Sequence, residues 1–500
     1  MFLPVVFNSC AKKLSIDKEI LYSKSSCPKP ENIDPISPTS NKMSAAAQTA
    51  FQNSKLQIDQ ASHQSFGQQK LTQNVLPEGY KLSLIFKSKC LKINNSNVAD
   101  YFNLNLLDEL DSYKNSFAVN LNLPQSIDVN ELSELLNSDE CVMGASTNKK
   151  YSSQSLPFSD PYFENQKPYF DSIEHVQALD KVINSEELSG ALNQSVKIAV
   201  LDTGVDYNHP DLKNNVIQLN SGQWGYRASS GSVVAGDPMD RSADGHGTHV
   251  AGIIGGLAGN AEGGTGLAYF AKILAVNVFD DHDQGYYALS SDVYNGIQRA
   301  IQENVDIINL SVGQFSESHK GDASYMQGLL DAIANNILVV TVIGNDMGEY
   351  NTAQVDGVNL TVIPGIYGAA MDGVITVASV DAKTNTLSNF SLYSQVYAEI
   401  AAPGSVGEGS ADGIYSTTKS NSSSVPYGYM KGTSMAAPVV SSVAGLAVAI
   451  LKHKGQAYSV KNLEDLLKMT AHRSYKLDCK VRDNQILNSL NLVEYLESIN

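Results

Sequence analysis

The sequence predicts an α/β protein, a mostly parallel sheet covered by helices on both faces, preceded by a small α+β module. Two observations carry this. Beyond Asp160, five runs are apolar at nearly every position: Lys197–Leu201, Lys272–Phe279, Asp306–Val312, Ile337–Ile343 and Val374–Val380. Helical stretches separate them, and a strand that is apolar on both sides needs cover on both sides, as in a parallel sheet. Upstream the pattern differs. Alternation over Tyr80–Phe86 and Phe117–Leu123 marks half-buried strands, and Val129, Leu132, Leu135 and Leu136 put a helix over Ile127–Leu136. Cys141, Val142 and Met143 then read as strand again.

Composition narrows the function. The 500 residues carry 35 Lys+Arg against 52 Asp+Glu, a net charge of −17, which excludes a general nucleic-acid binder because phosphate neutralisation needs a basic surface. Hydrophobic residues make up 42% and charged residues 17%, below the usual share of about 25%, so a large core is available. The longest apolar run, Val439–Leu451, is interrupted by Ser441, Ser442 and Gly445 and falls short of the ~18 residues of a membrane span.

Residues 1–13 hold an apolar run, Phe2–Phe7, then Ser9, Cys10, Lys12 and Lys13. This resembles the end of a bacterial lipoprotein signal, with Cys10 as the lipid anchor and a secreted or cell-envelope location as the consequence. No Lys or Arg precedes the run and it is short for such a signal, so a plain apolar N-terminus is the alternative. Residues 14–75 read as a disordered linker: Pro28–Asn74 is mainly polar, with eight glutamines between Gln48 and Gln73, too little apolar surface to offset the entropy of ordering. Residues 76–151 form the α+β module, which ends in the polar stretch Ala145–Ser155, read as an exposed and cleavable connection. Residues 152–500 form the larger domain. The five cysteines, Cys10, Cys27, Cys90, Cys141 and Cys479, show neither zinc-ligand nor dithiol spacing.

In a parallel sheet, function collects at the carboxyl ends of strands. There stand Asp202, Phe279–Asp280, Ser311-Val312-Gly313 and Gly344-Asn345. Asp202 lies in DTGVD, where Thr203 and Gly204 turn the chain at the sheet edge. His246 lies in GHGTHVAG, at the mouth of a glycine-rich helix start. Ser434 lies in GTSMAAP, where Thr433 reads as an N-cap and Ser434 opens a helix that is apolar on nearly every face. Alone, the acid could be a cap, the histidine structural and Asn345 a turn residue. Together they supply the parts of a nucleophilic hydrolase in the order Asp, His, Ser, with no G-x-S-x-G elbow at the serine.

DTGVD, GHGTHVAG and GTSMAAP resemble the three signatures of the subtilisin-like serine proteases, and the resemblance runs from about Asp160 to the C-terminus. It implies a serine endopeptidase with Ser434 as nucleophile, His246 as base and then acid, and Asp202 orienting the imidazole. It further implies Asn345 as oxyanion-hole donor, His249 as a structural residue, and Ser311, Val312 and Gly313 as the segment that pairs with substrate backbone. Protein or peptide substrates follow, with no cofactor required for catalysis and no metal ligand assigned. Many members carry an inhibitory propeptide, removed by the enzyme itself, where residues 76–151 stand. Some bind structural calcium near Gly259–Gly266, a loop that here offers only Glu262 as carboxylate, so no calcium site is assigned. Val342 and Val362 fall where the primary specificity pocket is lined and predict a small pocket. A catalytically silent binding or scaffold protein on the same fold is the alternative, and the presence of all four catalytic positions argues against it.

Overall fold

The computed structural model describes four strands between Tyr80 and Asn148, and then residues 158–499 apart from 230–231, 283–284, 317–322, 346–360, 364–370, 408–411 and 421–424. By internal contacts the chain divides into a unit Pro28–Ser152 and a larger one containing Ser153–Asn500.

In the first unit, β1 (Tyr80–Lys87), β2 (Asp111–Tyr113), β3 (Ser116–Leu123) and β4 (Val142–Asn148) form an antiparallel sheet in the order β2-β3-β1-β4. The three strand readings land on β1, β3 and β4. Strand β4 runs further than the sequence suggests: Ala145 pairs with Leu84 and Asn148 with Lys81, so the first four residues of the expected connection are ladder, because small polar residues suffice where a neighbouring strand supplies the hydrogen bonds. The expected helix over Ile127–Leu136, residues 1–13 and the linker lie outside the described residues.

The second unit opens with α1 (Phe163–Ser172) and α2 (His175–Asn184), then β5 (Lys197–Asp202), β6 (Gly225–Ser229), β7 (Ser232–Gly236) and α3 (His246–Gly255). Next come β8 (Lys272–Asn277), β9 (Asp280–His282), β10 (Gly285–Tyr287), α4 (Ser290–Gln302), β11 (Ile307–Leu310), β12 (Gln314–Ser316) and α5 (Ala323–Ala334). The chain continues through β13 (Leu338–Val342), β14 (Thr361–Ile363), β15 (Val374–Asp381), β16 (Ile400–Ser405), β17 (Ile414–Thr417) and β18 (Tyr427–Met430). It closes with α6 (Thr433–His453), α7 (Val460–Thr470), β19 (His472–Arg473), β20 (Gln485–Ile486) and α8 (Ser489–Ser498).

Ten strands make the main sheet, in the order β19-β20-β16-β15-β13-β11-β5-β8-β6-β7. The pairs from β20 to β6 are parallel, and only the edge pairs β19–β20 and β6–β7 are antiparallel. The apolar runs become β5, β8, β11, β13 and β15, and each divides its side chains between two cores. Ile198, Val200, Leu338, Val340 and Val342 face one core, where α3 and α6 contribute. Ala199, Leu201, Ile308, Leu310 and Val339 face the other, with residues of α4 and α5. That two-sided burial is why these strands lack a polar alternation.

Helix α6 corrects the membrane reading. Its 21 residues are long and apolar enough to cross a bilayer, since the interrupting serines barely lower the mean. Its apolar window is nevertheless 94% buried within the protein, and it lies across β11, β13, β15 and β16 as the central core helix.

Candidate active site

Strand β5 ends on Asp202, which is fully buried, and α3 begins on His246. The His246 Nδ1 and Asp202 Oδ1 are 2.7 Å apart, and the Thr203 N–H donates to the same oxygen at 2.7 Å. Asp202 Oδ2 is buried without a hydrogen-bond partner among the described residues, so the carboxylate's charge is little diluted. Burial by itself would lower the His246 pKa. The Asp202 charge and hydrogen bond, with smaller contributions from Asp244 and Asp240, outweigh it and raise the imidazole to about 9. A protonated imidazole cannot accept a proton, so kcat/KM should rise with pH along a limb centred well above the ordinary histidine value. Measured pH–rate profiles would show this, and a maximum near pH 4 would instead indicate paired carboxylates.

His249 behaves differently one turn along α3. It is fully buried, its Nε2 lies 3.0 Å from Ile414 O and 3.2 Å from Gly428 O, and burial pulls its pKa down to about 3. This neutral ring ties α3 to the β17–β18 hairpin.

Ser434 stands at the second position of α6, half-buried. The N-cap is Gly432, not Thr433: the Thr433 side chain is drawn away to Asn345, donating to Oδ1 at 3.1 Å, while its backbone N–H donates to the same oxygen at 2.9 Å. Asn345 is thereby held through its oxygen. Among the described residues the Ser434 N–H has no acceptor, since Met435 and Ala436 take the Gly432 carbonyl. A carbon built on Gly432 as a Cβ would lie 3.5 Å from Asn345 Nδ2 and 3.6 Å from Ser434 N, so both donors border one small space. Two such donors can bind a single oxyanion.

Pro438 explains how the serine is fixed. It lacks an N–H four residues after Ser434, so the Ser434 carbonyl is released from the helix ladder. The Ser311 hydroxyl takes that carbonyl at 3.0 Å and accepts from Asn309 Nδ2 at 2.9 Å, while Ser441 donates to Asn309 Oδ1 at 2.9 Å. Asn309 and Ser441 were not singled out in the sequence. The signal available was a fully buried amide inside the apolar strand β11.

The structure therefore forms two groups, Asp202 with His246, and Ser434 with Asn345 and Ser311. Strand β11 lies directly beside β5, in a register that pairs Asn309 with Val200, so Ser311 and Asp202 end neighbouring strands. The Ser434 hydroxyl is turned to Ser311 O at 3.2 Å rather than to the imidazole. Val312 is half-buried and Gly313 exposed, leading into β12, which pairs with β14 so that Phe315 faces Val362. Val342 is 3% exposed and packs in the core beneath α6, whereas the side chain of Val362 lies outside the described residues.

The loop Gly259–Gly266 has more carboxylates than its own sequence shows. Asp160 and Asp211 reach it from distant segments. Asp160 accepts from Gly259 N at 2.8 Å, Thr265 Oγ1 at 2.7 Å and Ala261 N at 3.1 Å. Asp211 accepts from Asn260 Nδ2 at 2.6 Å, Gly264 N at 3.1 Å and the Tyr427 hydroxyl, and burial pushes it up to about 6. The carboxylate oxygens are thus met by protein donors pointing inward. A calcium ion, which needs oxygen acceptors facing it, does not fit this arrangement. Among the described residues no three His, Cys, Asp or Glu side chains gather to hold a metal ion.

Comparison with known proteins agrees with this architecture. Residues 193–491 match the model of the subtilase family. Thermitase of Thermoactinomyces vulgaris is 34% identical over 315 residues, covering 63% of this chain and 91% of thermitase. Subtilisin DY of Bacillus licheniformis is 32% identical over 287 residues, covering 57% of this chain and 86% of its own length. Subtilisin-like protease 1 of Plasmodium falciparum is 32% identical over 282 residues, of which only 38% of its own length is matched. Among solved structures, one titled for proteases from Pseudoalteromonas arctica PAMC 21717 aligns with TM-score 0.55 and 27% identity, over 68% of this chain and all of that one. With a buried carboxylate on a histidine, a serine at a helix start and a family match over most of the larger domain, the chain belongs to the subtilase family and is a serine endopeptidase.

Proposed function

We propose that peptide-bond hydrolysis here runs through Ser434, His246 and Asp202, with Asn345 and the Ser434 N–H as the oxyanion hole. The Ser434 hydroxyl, rotated from Ser311 O to the imidazole, gives its proton to His246 as Oγ attacks the carbonyl carbon. The carbonyl oxygen gains the electron pair and is met by the two donors that border Gly432. His246 returns the proton to the leaving amine, an acyl-enzyme remains, and water repeats the steps to release the acid. Asp202 holds the ring tautomer and offsets the imidazolium charge. Ser311, Val312 and Gly313 would pair with the substrate backbone as an added strand. The observation that carries this reading is the 2.7 Å contact between His246 and the buried Asp202, on the strand next to the one that anchors Ser434. The same contact disfavours the silent-scaffold alternative, because a protein with no base to activate has no need to hold a buried charge against its histidine.

The unit containing β1–β4 is proposed as a propeptide that the enzyme removes, and the protein as exported. Cys479 is disulfide-bonded, which suits an oxidising compartment. Family membership does not decide this: the major intracellular serine protease of Bacillus subtilis, 34% identical over 54% of this chain and 73% of its own length, is named for the opposite location. Intact mass and N-terminal sequencing test both points. Wild type should begin after β4, within residues 149–156, whereas Ser434→Ala should keep the β1–β4 unit. A wild type that is fully active with that unit still attached would make the unit an accessory domain. Lipid attachment would appear as an acylated N-terminal Cys10 on the unprocessed variant.

A further inference from the structure

We propose that Asp240 is a positioning residue of this active site, a buried carboxylate that locks the end of β5 to the start of α3 and so fixes His246 against Asp202. The proposal rests on the hydrolytic reading above and deepens it.

Asp240 is 4% exposed and accepts five hydrogen bonds. Its Oδ1 receives Thr203 Oγ1 at 3.0 Å, Ser242 N at 3.1 Å and Ser242 Oγ at 2.7 Å. Its Oδ2 receives Thr248 N at 2.9 Å and Thr248 Oγ1 at 2.7 Å. Each of these partners passes the constraint on. The Thr203 backbone donates to Asp202 Oδ1, and its hydroxyl oxygen accepts from Gly247 N at 2.9 Å. Ser242 Oγ accepts from Gly245 N at 3.0 Å and His246 N at 3.1 Å. Thr248 Oγ1 accepts from Asp206 N at 3.0 Å.

The consequence is a helix start capped from outside. The N-cap of α3 is Gly245, in the left-handed region at φ 76 and with no side chain to accept from the first turn. The N–H groups of Gly245, His246, Gly247 and Thr248 would be orphans without the Asp240 network, which takes all four directly or through one hydroxyl. A negative charge there also complements the helix dipole. The imidazole rides on the first residue of this turn, so the angle it presents to Asp202 is set by the same hydrogen bonds. Substitutions at Gly247 would be excluded by the close approach, because a Cβ there would meet Gly204 O at 2.1 Å.

The titratable groups that bear on His246 are Asp202 at the end of β5, Asp244 and Asp240 on the segment before α3, and the neutral His249 on α3, while Lys419 beyond β17 donates to Ser242 O. Arg241 and the Tyr286 hydroxyl, which donates to Thr203 O at 3.0 Å, border the same group. Asp202, Asp244 and Asp240 are the negative charges that favour the imidazolium, and of the two outside the ion pair Asp240 is the one that also ties down the turn carrying His246.

The experiment is Asp240→Asn, an isosteric change that puts an NH2 where an acceptor stood, against either the Thr248 donors or the Thr203 and Ser242 donors. The expected result is a kcat lower by on the order of 10²-fold with little change in KM. The acid limb of kcat/KM should also move to lower pH, as a negative charge is removed from beside the imidazole. A purely structural role would lower the melting temperature and leave the limb in place. Wild-type kcat and profile in a folded Asp240→Asn would overturn the proposal. Should that variant not fold, Thr203→Val and Thr203→Ser decide: valine breaks the link and should lose kcat, serine keeps the hydroxyl and should not, and equal rates in both would reject it. Each series includes wild type labelled with a fluorophosphonate. Absence of label on wild-type Ser434 rejects the hydrolytic reading itself, whereas label on wild type with unaffected variants rejects only the role of Asp240.

Discussion

Replacing Ser434 with alanine is expected to lower kcat by about 10⁶-fold, the loss known for a subtilisin stripped of its nucleophile, while the fold is retained. The fold should survive because the side chain contributes little to it. Among the described residues its one hydrogen bond, to Ser311 O at 3.2 Å, is worth about 1 kcal/mol at most. The anchoring contact, Ser311 Oγ on the Ser434 carbonyl, uses the backbone and remains in alanine. The variant should therefore melt close to wild type and still bind peptide inhibitors, with hydrolysis near the uncatalysed background plus what the oxyanion hole supplies alone. Undiminished turnover would remove Ser434 from the chemistry.

Asn345→Leu is expected to cost on the order of 10² to 10³ in kcat with KM nearly unchanged, again as in a subtilisin, because the donor acts when negative charge develops on the carbonyl oxygen. Leucine also strands the Thr433 N–H and hydroxyl, which donate to Asn345 Oδ1, so a loss of stability would accompany it. Asn345→Asp separates the two effects. The aspartate can still accept both Thr433 bonds, yet it presents an oxygen, not an N–H, to the space over Gly432. Its kcat should fall at least as far as that of the leucine variant. If aspartate restores the rate, Asn345 serves only to hold Thr433.

The parallel sheet was legible because its central strands are buried on both faces and therefore read as unbroken apolar runs. Its edges were not. Strand β16 contains Pro403 and Gly404, which sequence rules place outside strands, and it is tolerated where the register with β15 shifts after Val380. The short pairs β6–β7 and β19–β20 lack any run long enough to signal a strand. In the candidate site, Asp202, His246 and Ser434 stand out in the sequence because each sits in a glycine-bearing motif at an element end. Thr433 was misplaced as the cap because its side chain has a stronger partner, Asn345, brought close only by folding. Asp160 and Asp211 converge on the Gly259–Gly266 loop across 105 and 53 positions, respectively, a contact that no local pattern announces. Asp240 lies five residues ahead of the GHGTHVAG signature, and its five hydrogen bonds come from Thr203, Ser242 and Thr248, on both sides of the His246 turn and at the end of β5.

On the proposed mechanism, the Ser434 hydroxyl is made nucleophilic by the His246–Asp202 pair. Reaction of the purified protein with a fluorophosphonate, followed by mass mapping of the adduct, tests it most directly, since only an activated serine forms the phosphonyl ester. Stoichiometric modification of Ser434 is expected, strongly slowed in His246→Ala and faster as pH rises through the imidazole's titration. An unlabelled Ser434 in protein that cleaves peptides, or labelling that proceeds equally well without His246, would contradict it.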